Sequence, residues 1–174
     1  DTSITYENII NRYNTDLANN LGNLLSRTIA MTKKYFDGVI PQNVAFDNEF
    51  DNDLKAKTTE CVSKFATLMD EFKLADAATC VFDMLSRANK YIDETTPWIL
   101  AKDEAQKERL GTVLYNLMET IRQGAVMLLP FIPATATEIL DELNTDKRDF
   151  ASLEGFDGMV AGNEVCDSKV LFAR

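Results

Sequence analysis

Residues 6–38 read YENIINRYNTDLANNLGNLLSRTIAMTKKYFDG, and the spacing within this stretch decides the fold. The mostly apolar series Ile10, Tyr13, Leu17, Leu21, Leu24, Thr28, Met31 and Tyr35 advances by three or four residues at each step. That is the period of one helical face, so a helix is expected from about Tyr6 to Tyr35 with this stripe turned to a bundle core. A polar flank of Asp16, Asn20, Asn23, Arg27 and Lys34 runs beside it. Asp37-Gly38, followed by Pro41, marks the stop.

The same period recurs downstream. A second helix, roughly Glu49 to Lys73, presents Phe50, Leu54, Cys61, Phe65, Leu68 and Phe72, and a third, roughly Ala75 to Asp93, presents Ala77, Val81, Met84, Ala88 and Tyr91. Thr96 precedes a proline and is expected to be extended, while Pro97 fixes its own φ and suits the first turn of a new helix. A short helical turn is followed by a long helix from about Glu104 to Leu129 that buries Leu110, Val113, Leu117, Ile121, Ala125 and Leu128. Pro130 and Pro133 bend or end it, and a fifth, short helix runs through Leu143. From Thr145 onward Gly155, Gly158 and Gly162 interrupt any helical period. This part reads as an irregular or short-stranded tail whose last apolar residues, Val170-Leu171-Phe172, dock elsewhere. The expected fold class is all-α: an antiparallel bundle of about five helices over residues 1–144, with a tail over 145–174.

Composition narrows the function. The 174 residues suffice for one domain with a substantial core, and seven Gly and four Pro favour long helices over a strand-and-turn fold. There is no histidine, which removes the commonest general base, the Ser-His and Cys-His pairs and most zinc sites. No Gly-rich phosphate loop occurs. Cys61, Cys80 and Cys166 are isolated and lack metal-type spacing, as expected of a reducing compartment. No apolar stretch is long enough to span a bilayer and no signal-peptide pattern opens the chain, so no membrane partner is expected. Asp1 stands where a methionine would begin a natural chain, and an excised or processed piece is expected.

The net charge of −10 is unevenly spread. Residues 1–46 carry four basic and four acidic side chains, and residues 80–129 six and seven; the acidic excess lies in residues 47–79 and 130–174. Broad non-specific binding to nucleic acid, including DNA, is not expected, whereas a short-range contact with a few nucleotides remains open. Asp47, Glu49, Asp51 and Asp53 superficially suggest calcium, but the glycine and late glutamate of a calcium loop are misplaced. A solvated helix start favoured by the helix dipole is the expected reading, and no metal site is expected.

Trp98 is the sole tryptophan. A flat indole on such a corner is either a core plug between helices or a platform for stacking. Asn23 and Arg27 are four apart, so they share one face of the first helix and lie off its apolar stripe. An amide brings donors and an acceptor, and a guanidinium brings a rigid donor fork and a flat face. Together they can read the edge of one unpaired base, or they are ordinary solvated polar flank.

Two stretches carry a resemblance that covers essentially the whole chain. Asp16-Leu17-Ala18-Asn19-Asn20-Leu21-Gly22 followed by Asn23-Leu24-Leu25-Ser26-Arg27 resembles the first helix of the anticodon-binding domain of the methionyl-tRNA synthetase family. Asn89-Lys90-Tyr91-Ile92-Asp93-Glu94-Thr95-Thr96-Pro97-Trp98 resembles that family's Asn-x-Tyr-Ile-Asp-Glu-x-x-Pro-Trp signature. Lys34-Tyr35-Phe36-Asp37-Gly38 and the closing Leu171-Phe172-Ala173-Arg174 are similar too, although Ala173 stands where the family usually has proline.

The resemblance implies that Trp98 stacks on the first anticodon base, a cytosine, and that Asn23 and Arg27 contact the same exposed bases. It implies that Pro97 sets the indole's attitude and that Asp93 repels wrong anticodons, unless Asp93 is an ordinary helix-end acid. Asn89, one turn earlier, is either a further contact or a helix-bracing amide. The implied partners are a tRNA anticodon loop and, in cis, a catalytic domain, against which or against the bundle the tail would dock. The family's complete enzyme uses ATP, but its His-x-Gly-His-like and Lys-Met-Ser-Lys-Ser-like signatures and its metal-binding insertion are absent here. These residues are therefore expected to hold no catalytic group, cofactor or metal, and the implied compartment is the cytoplasm. The competing expectation is a helical protein-interaction scaffold, with Trp98 buried and Asn23 and Arg27 idle. A carboxylate-based catalyst is a third, though no acid pair stands apart from solvated faces.

Overall fold

The computed structural model describes residues 6–166, with side chains described from Thr15 onward except Leu17. Ile10, Tyr13 and Leu17 of the first stripe, and Val170-Leu171-Phe172 of the tail, therefore lie outside the described side chains. Helix α1 spans Tyr6–Phe36, α2 Glu49–Asp70, α3 Leu74–Thr95, α4 Pro97–Leu100, α5 Lys107–Leu128 and α6 Pro133–Leu143. Short 3-10 turns occur at Glu104–Gln106 and Phe150–Leu153. Among the described residues the only β pairing is a single antiparallel bridge between Val39 and Glu164. The fold is an all-α bundle, as the periodicity predicts.

Local signals set the end of α1 and the start of α2. At the end of α1, Asp37 and Gly38 take φ of 55° and 80°, and the Gly38 N–H reaches back to the Thr32 carbonyl at 3.1 Å. This left-handed stop satisfies a carbonyl that the helix would otherwise leave open. Asn48 caps α2, its side-chain oxygen accepting from the Phe50 and Asp51 amides at 2.9 and 3.2 Å. Helix α2 stops at Asp70, earlier than the spacing predicts. Phe72 sits in the tight turn to α3 at φ 60°, so the apolar period is broken there and its ring is 86% exposed instead of buried.

Helix α5 is the axis of the bundle, packed against α1, α2, α3 and α6. The sequence suggests one buried stripe; instead every residue from Leu110 to Leu128 is buried. Its polar members are therefore sealed as well. Glu119 and Arg122, both fully buried, pair through two bonds of 2.9 Å. Arg122 also donates to the Lys147 and Ser152 carbonyls and to the Ser152 hydroxyl, at 2.8–2.9 Å. The Glu119 carboxylate accepts from the Gly158 and Met159 amides at 3.0 Å. Residues 147–159 are thereby laced onto α5 by side chains of the helix itself. Phe150 adds a ring stacked on Phe65 at 6.3 Å.

The acidic run at the start of α2 is not uniformly solvated. Asp51 is buried, because it falls in register with the buried series Leu54, Thr58, Cys61 and Phe65. Arg109 and Tyr91 hold its carboxylate. Burial without such partners would be prohibitive for a charge.

Candidate functional site: an exposed indole beside a polar helix face

Helix α1 turns Ala18, Leu21, Leu24, Leu25, Thr28, Ile29 and Thr32 inward. The opposite face, with Asp16, Asn19, Asn23, Ser26, Arg27, Ala30 and Lys34, is exposed. Asn23 and Arg27 are stacked one turn apart on it, and neither has a hydrogen bond or ion pair among the described residues. The Asn23 amide and the Arg27 donor fork are thus available to an incoming group.

Thr96 departs from the extended geometry expected before a proline: it is left-handed, at φ 44° and ψ 64°. The pre-proline clash disfavours the right-handed helical region, and the chain must both end α3 and reverse into α4 within one residue. The left-handed state does this while the Thr96 amide closes on the Ile92 carbonyl at 2.9 Å. For a β-branched residue such a φ is an outlier that the surroundings must impose. Pro97 then occupies the first position of α4 and is buried. Trp98, next in the turn, is 41% exposed, and Ile99 is 54% exposed. The corner thus anchors itself through Pro97 and Leu100 and presents Trp98 with Ile99 outward.

The rest of the signature divides between the inside and the outside. Tyr91 and Ile92 are fully buried. Glu94 turns inward to Arg87, which donates to it at 2.8 Å and to Asp53 at 2.9 Å. Burial opposes the Arg87 charge, but the two carboxylates outweigh it and hold the guanidinium pKa above its ordinary value. Asp93 is exposed and has no such partner among the described residues. Asn89 is half-buried, and its amide bonds the Leu85 carbonyl of its own helix at 3.3 Å, a bracing contact that leaves its oxygen available.

Helices α1 and α3 pack on each other, and Lys34 and Tyr35 share a small cleft with Leu100 and Ala101. The last turn of α1 and the α4 corner therefore lie at the same end of the bundle. Arg27 lies seven residues before Lys34, about 10 Å back along the helix. Sequence reasoning did not single out Ile99; an apolar residue directly after the indole in a four-residue helix was the available signal, since one turn cannot bury every side.

Fold and surface together define an all-helical domain that leaves an indole exposed at one end of the bundle and a polar face exposed along α1. The chain belongs to the family of the anticodon binding domain of methionyl tRNA ligase, whose model matches residues 40–174. That match includes Asn89, Asp93, Pro97 and Trp98; Asn23 and Arg27 precede it. Longer alignments span nearly the whole chain. The methionine–tRNA ligase of Clostridium perfringens is 51% identical over 168 residues, 97% of this chain and 26% of that protein. The ligase of Bacillus subtilis is 42% identical over 171 residues, 98% of this chain and 25% of that protein. The apo crystal structure of Mycobacterium tuberculosis methionyl-tRNA synthetase superposes with a TM-score of 0.86 at 33% identity, covering 99% of this chain and 35% of that one. The chain thus spans about a quarter of the length of the curated relatives it matches.

Proposed function

We propose that this domain reads the CAU anticodon of methionine tRNA, with the exposed Trp98 indole as the platform on which the first base, a cytosine, stacks. The observation that carries the reading is the exposure of the chain's one tryptophan on a corner whose backbone is held out of its relaxed state. Asn23 and Arg27 contact the edges of the unpaired bases, Pro97 sets the indole's attitude, and Asp93 disfavours wrong anticodons by its charge. Asn89, braced on its own helix, supports that end of α3 and offers its oxygen. Bases in loops are the part of RNA that proteins read by sequence, because they can be splayed onto aromatic and guanidinium faces.

Stacking contributes about 1–3 kcal/mol per base, and a good polar pair about 1–3 kcal/mol of discrimination. Binding of this kind needs no basic surface, which supports the reading despite the acidic chain. The whole protein would join methionine to its tRNA with ATP, using a catalytic domain in cis that supplies the chemistry, in the cytoplasm where translation takes place. This domain would supply binding energy and choice of tRNA.

Calorimetric titration of a CAU anticodon stem-loop tests the proposal. Trp98→Ala is expected to abolish measurable binding, and Asn23→Ala and Arg27→Ala to weaken it and relax base choice. Unchanged affinity in all three variants would overturn the reading in favour of a protein-interaction scaffold.

A further inference from the structure

Behind the Trp98 corner lies a polar assembly distinct from the Glu119–Arg122 pair. Asp51 of α2 receives a two-pronged Arg109 fork at 2.6 and 2.8 Å. Its Oδ1 also accepts the Tyr91 hydroxyl at 2.6 Å, and the Tyr91 oxygen accepts from the Asn116 amide at 3.1 Å. The Arg109 guanidinium lies 5.2 Å from the centroid of the Phe46 ring. The loop before α2, together with α2, α3 and α5, therefore meets at a single carboxylate.

This assembly borders the corner from two directions. Tyr91 lies one turn before Thr95, whose hydroxyl bonds the Tyr91 carbonyl at 2.8 Å, and Thr95 immediately precedes the strained Thr96. From the other side, Arg109 lines an open cleft of about 550 Å³ together with Ile99 and Leu100 of α4. A buried ion pair often contributes little net stability compared with apolar residues of the same volume, and in some proteins such a group instead fixes a unique geometry. The corner needs such fixing: a four-residue helix has no stability of its own, and Thr96 holds a conformation its sequence disfavours.

We infer that the Asp51–Arg109–Tyr91 network is a positioning device for the Trp98 corner, holding the indole in its presenting attitude before any base arrives. In its RNA-binding consequence this rests on the proposed role of Trp98. A platform already held in place spares the complex the ordering of a loop on binding. Asp51, Arg109 and Tyr91 act through α3 and α4 and touch no base.

Because Trp98 is the only tryptophan, its fluorescence reports the corner alone. Tyr91→Phe and Arg109→Met in the full chain, studied below their melting temperatures, are expected to raise acrylamide quenching of Trp98 and lower its anisotropy. The same variants should weaken the CAU stem-loop by roughly 2- to 30-fold and narrow its margin over a UAU stem-loop. Lower melting temperatures with wild-type quenching and anisotropy would overturn the inference, because a merely structural network would behave that way. Tyr91→Phe keeps the ring and carries the test if Arg109→Met fails to fold. A Trp98→Ala control separates the two ideas: if it leaves stem-loop binding intact, the anticodon reading fails, while the fluorescence of the network variants still decides the positioning role.

Discussion

At the centre of α5, Arg122 has all five N–H donors engaged, by Glu119, Ser152 and Lys147, and no exposed surface. Arg27, on the outer face of α1, is exposed and has no hydrogen bond or ion pair among the described residues. The first guanidinium is consumed by the fold and the second is left over from it. A desolvated charge is tolerable only when it is fully partnered, so the sealed region must be complete. An open face has no such requirement, and groups that the fold does not use are those able to meet a ligand.

The largest expected effect lies in the sealed region. Arg122→Met leaves the Glu119 carboxylate buried without its counter-ion and is expected to cost about 3–5 kcal/mol in urea unfolding. A loss below about 1 kcal/mol would erase the contrast between the two arginines. Gly158→Ala should come next, because a Cβ there would collide with the Arg122 guanidinium, which its five bonds prevent from moving aside. Overpacking of this kind costs about 1–3 kcal/mol, measurable as a lowered urea midpoint.

On the open face the expected pattern reverses. Asn23→Ala and Arg27→Ala should change unfolding free energy by no more than about 0.5 kcal/mol. The same changes should weaken the CAU stem-loop by roughly 5- to 100-fold. Destabilisation like that of Arg122→Met would mean that α1's outer face is used by the fold after all.

The smallest effect sharpens the comparison at an intermediate site. Burial, and then the hydrogen bond to Asp51, push the Tyr91 phenol well above its ordinary pKa of 10.0. Its raised folded pKa means the contribution is full below that ordinary value and falls as pH climbs above it, where only the unfolded phenol ionises. Chemical unfolding from pH 9 to pH 11 should therefore show a steeper stability loss in the parent chain than in Tyr91→Phe. Parallel curves would show that the phenol is not held neutral by its surroundings.

Much of this architecture was legible in the residue order. Helix α1 ends within one residue of the spacing's prediction, because the Asp37-Gly38 stop is a local signal. The Pro97 start of α4 and the Pro133 start of α6 are equally local. The pattern failed where one residue answers to two demands. Phe72 continues an apolar period but falls in the turn, and Thr96 takes a left-handed φ because capping α3 outweighs its own preference. Asp51 looks like its solvated neighbours in composition; only its register with Leu54 and Thr58 hints at burial. For Trp98, plug and platform are equally compatible with the residue's chemistry.

The order of residues by itself determined that the chain forms helices, roughly where they lie, and the pairing of Asn23 with Arg27 on one turn, since these depend on groups a few positions apart. Tertiary structure alone decided which polar groups would be sealed and which left open. The partners of Arg122 lie up to 30 residues away and the link from Arg109 to Asp51 spans 58. Whether a charge or an indole meets water depends on which distant segments cover it, and that is settled only once the bundle has closed.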